Sequence, residues 1–263
     1  MSMLEVNGVQ LHYQLEGPAH APVVMLSNSL ASNLGMWDAQ VPALLGAGFR
    51  VLRYDTRGHG HSALPSGPYT IAQLAADALG LLDALALERV HFCGLSLGGM
   101  TGQMLATHHG NRLHSLTLCA TAAYMGPPDL WEGRIRQVTE HGMASVLEAT
   151  LQRWFSPQGL AQMGAVLEPV KAGILSTPPA GYAACGAAVR DMDQRETIGA
   201  IRTPTLVIVG SEDPGTTVEH AKLMVSRIQG AELLILPEAR HLLNIEFADL
   251  FNTGLLGFLK AHA

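Results

Sequence analysis

The sequence predicts an α/β fold, with a mostly parallel central sheet, helices on both of its faces and a helical insertion. Three observations lead there. Six short apolar runs recur along the chain, helix-like segments separate most of them, and one long stretch holds no strand-like run. Apolar runs of four or five residues suit strands buried on both faces of a parallel sheet. Their alternation with helices sets those helices against the two faces.

Residues 3–15 read as an antiparallel hairpin. Leu4 and Val6 alternate on one arm, and Val9, Leu11, Tyr13 and Leu15 on the other. Asn7-Gly8 between them is a strong two-residue turn signal, because both residues tolerate positive φ. After Gly17-Pro18 come the apolar runs Val23–Leu26, Val51–Tyr54, Val90–Gly94, Leu116–Cys119, Leu206–Val209 and Leu233–Leu236. Helices are expected near 36–46, 70–86, 98–109, 217–228 and 247–261. From Tyr124 to Arg195 the pattern changes. Trp131, Trp154, several methionines and the breaks Pro127-Pro128, Ser156-Pro157 and Thr177-Pro178-Pro179 mark helices inserted between the fourth and fifth runs. The expected division is a core of residues 1–123 with 196–263 and a helical cap of residues 124–195.

Composition excludes several classes of function. The chain has 263 residues, 48% hydrophobic and 14% charged, against about 25% charged in an ordinary soluble domain. Such a chain can bury one large core. Its net charge is −6, with no basic cluster, which argues against nucleic acid as a partner. No uninterrupted apolar run reaches the roughly 18 residues of a membrane helix, so no membrane association is expected. Met1 to Leu15 lacks a basic segment followed by an apolar one, so it does not read as a signal peptide. The cysteines, Cys93, Cys119 and Cys185, are too few and too irregular for a disulfide framework or a zinc site. They point to a reducing compartment, the cytoplasm. Twelve histidines include no His-Glu-x-x-His, and Ala63 stands where Gly58 and Gly60 would need a third glycine for a dinucleotide loop. Neither a metal nor a cofactor is expected. The sequence does not set the oligomeric state.

The chemistry-bearing motif is Gly94-Leu95-Ser96-Leu97-Gly98. Alone, a Gly-x-Ser-x-Gly is weak. Here it follows the strand-like Val90–Cys93 and precedes a helix, which is the strand–turn–helix context a nucleophilic serine needs. The turn lifts the Ser96 hydroxyl above the sheet and aims the start of the next helix at the same point, where a developing oxyanion would sit. A serine also needs a base, and the base needs an acceptor to fix its tautomer. Asp213 follows the fifth run through Gly210-Ser211-Glu212, and His241 lies four residues beyond Pro237 at the end of the sixth. Both stand past strand C-termini, where α/β sites are built. Glu212 is the neighbouring alternative acid.

These features resemble the α/β-hydrolase family over essentially the whole chain. The resemblance rests on the opening hairpin, the segment Asp55-Thr56-Arg57-Gly58-His59-Gly60-His61-Ser62, the elbow at Ser96, and Gly-Ser-Glu-Asp with the late histidine. It implies that Asp55 and Arg57 organise a loop. Many members carry His-Gly after the first central strand, whereas this chain reads Ser27-Asn28-Ser29-Leu30-Ala31-Ser32, with Met36-Trp37 following. That departure, with Gly-Leu-Ser-Leu-Gly-Gly-Met at 94–100, resembles the 3-oxoadipate enol-lactonases of aromatic catabolism. By this likeness the Leu30 and Leu97 amides form an oxyanion hole, and Ser29 beside it is a candidate substrate-binding residue. The implied substrate is a small enol lactone bearing a carboxylate. In the cap, Trp131 and Arg134 lie three residues apart, on one face if helical, so Arg134 is a candidate carboxylate clamp shielded by Trp131. Trp154 is a candidate pocket wall. A general carboxylesterase and a C–C bond hydrolase of ring-cleavage products are the alternatives.

Overall fold

The computed structural model describes residues 2–262. Eight strands form one sheet: β1 (Ser2–Val6), β2 (Val9–Glu16), β3 (Val23–Ser27), β4 (Arg50–Tyr54), β5 (Val90–Leu95), β6 (Leu113–Cys119), β7 (Thr205–Gly210) and β8 (Glu232–Leu236). Their spatial order is β1-β2-β4-β3-β5-β6-β7-β8. β1 pairs antiparallel with β2, and β2 with β4; every later pairing is parallel. The hairpin turn has Asn7 at φ 52° and Gly8 at φ 75°, the two positive values its sequence anticipates.

Alternation along each strand divides the core in two. Val24, Leu26, Val51, Cys93, Cys119, Leu206 and Ile208 belong to one apolar cluster. Val23, Met25, Leu52, Phe92, Leu118, Val207 and Val209 belong to the other. Successive residues point to opposite faces, so a fully apolar run buries both. Helices cover each face: α1 (Val41–Gly46), α2 (Ile71–Ala84), α3 (Leu97–His109), α9 (Val218–Arg227), α10 (Leu243–Glu246) and α11 (Ala248–Ala261). Thr70 and Gln73 form a capping box at the start of α2.

Between β6 and β7 come five α-helices: α4 (Pro128–His141), α5 (Leu147–Trp154), α6 (Pro157–Gln162), α7 (Leu167–Ser176) and α8 (Pro179–Asp191). A single antiparallel bridge, Tyr124 to Asp193, joins the two ends of this segment. Its buried side chains, among them Trp131, Trp154, Phe155 and Ile174, belong to the same cluster as one face of the sheet.

Three boundaries differ from the sequence reading. The helix expected at 36–46 is a 3-10 turn at Leu34–Trp37, capped by Asn33, followed by a separate α1 with Pro42 in its first turn. The helix expected at 247–261 is preceded by the short α10, with Phe247 leaving helical geometry between them. β6 begins three residues before its apolar run because His114 and Ser115 interrupt the pattern; Ser115 is fully buried and hydrogen-bonded to His91 Nδ1 at 2.8 Å.

Candidate active site

Strand order reverses at β3, which is flanked by β4 on one side and β5 on the other. Crossovers therefore leave in opposite directions at the C-terminal ends of β3 and β5, and a crevice opens between them. Ser96 sits there, at the junction of β5 and α3. Its backbone has φ 56° and ψ −112°, a conformation that side-chain-bearing residues rarely adopt. The surroundings hold it in place: Ser96 N–H donates to Cys119 O at 2.9 Å, and Thr121 Oγ1 donates to the Ser96 carbonyl at 2.7 Å. The flanking glycines are required by contact. A Cβ on Gly94 would strike the Gly98 carbonyl, and one on Gly98 would strike the Ser27 carbonyl.

Asp213 follows β7 and is 5% exposed; His241 follows β8. The His241 Nδ1 to Asp213 Oδ2 distance is 2.7 Å. Asp213 also accepts from Thr216 Oγ1 (2.6 Å), Gly215 N (2.8 Å) and Thr216 N (3.0 Å). Burial raises the Asp213 carboxyl, but the His241 ring, the Thr216 hydroxyl and the Gly215 amide outweigh it, so the group titrates below the usual carboxylate value. With Nδ1 committed to the carboxylate, Nε2 is the nitrogen left to serve as base. Glu212 is exposed, and it lines a different groove from His241. The acid next to the histidine is Asp213.

The loop after β3 supplies two amides with fixed partners and one without. Ser29 N–H donates to Met36 Sδ at 3.3 Å, and Ala31 N–H donates to His59 Nε2 at 3.1 Å. Among the described residues the Leu30 amide between them has no acceptor. Leu97 is the first residue of α3, so its amide has no helical acceptor either. Ser29, Leu30, Ser96, Leu97, Asp213 and His241 all line one cavity of about 90 Å³. His59 was not foreseen as a support of this loop. Its Nδ1 faces the Arg57 carbonyl at 3.3 Å, and burial lowers its pKa to about 4, which keeps Nε2 an acceptor. Asp55 accepts from the Leu34 amide at 2.8 Å at the other end of the same loop. Arg57 instead makes a bidentate pair with Asp77 of α2, both bonds 2.6 Å.

The inserted helices form the cavity's roof. Trp131, Arg134 and Trp154 line it, and so do Thr150, Arg153 and Tyr182, which the sequence reading missed. Thr150, Arg153 and Trp154 are spaced i, i+3, i+4 on α5, a helical-face signal that could have found them. The Arg134 guanidinium lies 5.0 Å from the Trp131 ring, whose Nε1–H donates to Met125 O at 3.1 Å. Arg153 donates to Thr150 Oγ1 at 3.1 Å. Burial, then the nearby charge of Arg134, lowers the Arg153 pKa, and burial raises that of the Tyr182 hydroxyl. Among the described residues neither arginine has a carboxylate partner.

An elbow serine at the switch point of a parallel sheet, beside a histidine anchored on a carboxylate, is the architecture of a hydrolase. The chain belongs to the α/β-hydrolase family: residues 22–248 match the family described as alpha/beta hydrolase fold. It is 37% identical over 257 residues to 3-oxoadipate enol-lactonase 2 of Acinetobacter baylyi, covering 98% of this chain and 96% of that one. The crystal structure of the enol-lactonase from Burkholderia xenovorans LB400 superimposes with a TM-score of 0.96 at 42% identity, over 98% of this chain and 100% of that one. A hydrolase from Pseudomonas aeruginosa PA01 gives 0.95 at 46% identity, over 98% and 97%. No helix among the described residues is long and apolar enough to cross a membrane.

Proposed function

We propose that the protein opens 3-oxoadipate enol-lactone to 3-oxoadipate in the breakdown of aromatic compounds, through a serine acyl-enzyme. Ser96, deprotonated by His241, attacks the lactone carbonyl, and the oxyanion rests on the Leu30 and Leu97 amides. The ring C–O bond breaks as the protonated His241 gives its proton to the leaving oxygen, releasing an enol that tautomerises to the ketone. Water activated by His241 then frees the acyl group. Asp213 orients the imidazole and stabilises its charged form. Residues 124–195 act as a cap that closes the site and supplies the carboxylate recognition. The unpaired thiols fit a reducing compartment, and we place the protein in the cytoplasm.

One observation carries the substrate assignment. Two guanidinium groups, Arg134 and Arg153, line the same small cavity as Ser96 and His241, and among the described residues neither is paired with a carboxylate; Asp213, the acid on that lining, is bonded to His241. Like charges facing one cavity repel, and a carboxylate between them relieves the repulsion with charge-assisted hydrogen bonds. A neutral-ester hydrolase has no need of this pair. The small volume, about 90 Å³, also disfavours the longer dienoates of ring-cleavage C–C hydrolases. The test is loss of ultraviolet absorbance of the enol-lactone with the native protein and with Ser96→Ala, beside turnover of p-nitrophenyl acetate. Lactone consumption abolished by Ser96→Ala is the expected result. Turnover of the ester without the lactone would remove the substrate assignment and leave the serine mechanism.

A further inference from the structure

Beside the catalytic cavity lies a second one of about 310 Å³. Its walls are mostly apolar and include Met36, Val166, Val170, Leu242 and Ile245. At this volume it reaches the range of small-molecule sites, roughly 300–1,000 Å³, which the catalytic cavity does not. Among the described residues one side chain lines both: Trp154, 6% exposed at the end of α5. The two cavities are also adjacent along the chain. Ala31 and His241 line the first, while Ser32 and Leu242 line the second. Met36 belongs to the apolar wall, yet its sulfur accepts from the Ser29 amide and the Ser32 hydroxyl, so this wall is continuous with the oxyanion loop. The charged group on its lining, Asp38, is already paired with Arg53 and is largely exposed. Val166, 53% exposed, lies on the solvent side.

We propose that the apolar cavity is an alkyl-chain subsite, and that Trp154 is the specificity-determining partition that keeps it out of reach of Ser96. The native site then takes short or anionic substrates. Loss of the indole joins the cavities and admits esters with a medium-length unbranched chain. The catalytic part rests on the serine-hydrolase reading above; the binding part does not. A neutral chain fits because the lining offers apolar surface and no free cation, in contrast to the arginine-lined cavity next door. Each methylene buried there is worth about fourfold in affinity.

The experiment compares kcat/KM for p-nitrophenyl acetate, p-nitrophenyl octanoate and octyl acetate in the native protein, Trp154→Ala, Val170→Phe and the double variant. Trp154→Ala should raise the ratio of a long-chain ester to p-nitrophenyl acetate at least about tenfold. Val170→Phe, which fills the apolar cavity from α7, should reverse that gain in the double variant and leave acetate turnover by the native site unchanged. A gain confined to the octanoate assigns the acyl chain to the cavity, and one confined to octyl acetate assigns the alcohol chain. An unchanged ratio in a cooperatively folded Trp154→Ala, or a gain that Val170→Phe does not reverse, overturns the proposal; Trp154→Leu serves if the alanine variant does not fold. Octan-1-ol titrated against tryptophan fluorescence gives a readout independent of catalysis. A saturable change in native protein, lost in Val170→Phe, is expected, and its absence in native protein overturns the subsite. If no variant hydrolyses any ester or the enol-lactone, the serine-hydrolase reading fails and the octanol titration still decides the cavity.

Discussion

Two aspartate–histidine pairs occupy this molecule, and at the level of the pair they are nearly identical. His241 Nδ1 lies 2.7 Å from Asp213 Oδ2, and His12 Nδ1 lies 2.8 Å from Asp55 Oδ2. Both carboxylates are buried and both accept backbone amides: Gly215 and Thr216 at Asp213, Leu34 and His61 at Asp55. The difference lies beyond the pair. The His241 ring lines the cavity that holds Ser96, whereas the far nitrogen of His12, Nε2, is buried with no partner. A carboxylate-anchored histidine is thus a structural unit that ties a loop at His12 and, on the mechanism proposed above, transfers a proton at His241. Access and a neighbouring hydroxyl decide which.

The comparison is broken most directly by neutralising each acid. Asp213→Asn should lower the kcat of the folded protein by about 10⁴-fold, since the geometry survives and the tautomer does not. Asp55→Asn should reduce stability by about 3 kcal/mol, because a buried network loses its charge, while the folded fraction keeps its kcat. Kinetics and urea denaturation on the same preparations check both. Equal losses of activity per folded molecule would erase the distinction. Next in size is Arg153→Met, expected to raise KM for the carboxylate-bearing lactone about 100-fold and leave p-nitrophenyl acetate within threefold, through loss of a charge-assisted pair.

A buried histidine outside the two pairs extends the comparison to pH. His59 is held near pKa 4 by burial, below the unfolded value of about 6.5. Because the folded value is depressed, the unfolded chain binds more protons between these limits, so stability falls as pH drops from about 6.5 toward 4. His59 alone should remove roughly 2 kcal/mol between pH 7 and pH 5. Urea midpoints at the two values check this, and His59→Gln should flatten the dependence. Smallest is Thr216→Val, which removes one of the hydrogen bonds to the Asp213 carboxylate. It should raise the pKa of that group and lower kcat about fivefold, read from the acid limb of the rate profile.

Much of this was legible in the chain. Strands buried on both faces announce themselves as unbroken apolar runs, and the elbow serine, Asp213 and His241 all stand just past such runs. Those positions follow from sequence-local rules about strand ends. Arg153, His59 and Thr216 obey no such rule. The spacing of Thr150, Arg153 and Trp154 marks one helical face, but which cavity that face meets depends on the orientation of a whole helix over the sheet. His59 supports Ala31 across 28 residues of sequence. β6 was cut short because a buried polar pair, His91 with Ser115, looks like a break to a hydropathy reading.

The loop bearing His241 is tied to the end of α5 on both sides of the histidine. Arg240 donates to the Gln152 carbonyl at 2.5 Å, and the Leu242 amide donates to the Trp154 carbonyl at 3.0 Å. His241 and the roof over its cavity therefore share one mounting. Lifting α5 to admit a ligand would carry His241 with it or strip its loop of two supports. On the mechanism proposed above, seating α5 over the cavity would also seat the base. A protein engineer transplanting this roof onto another scaffold would have to move residues 240–242 with it as a single part.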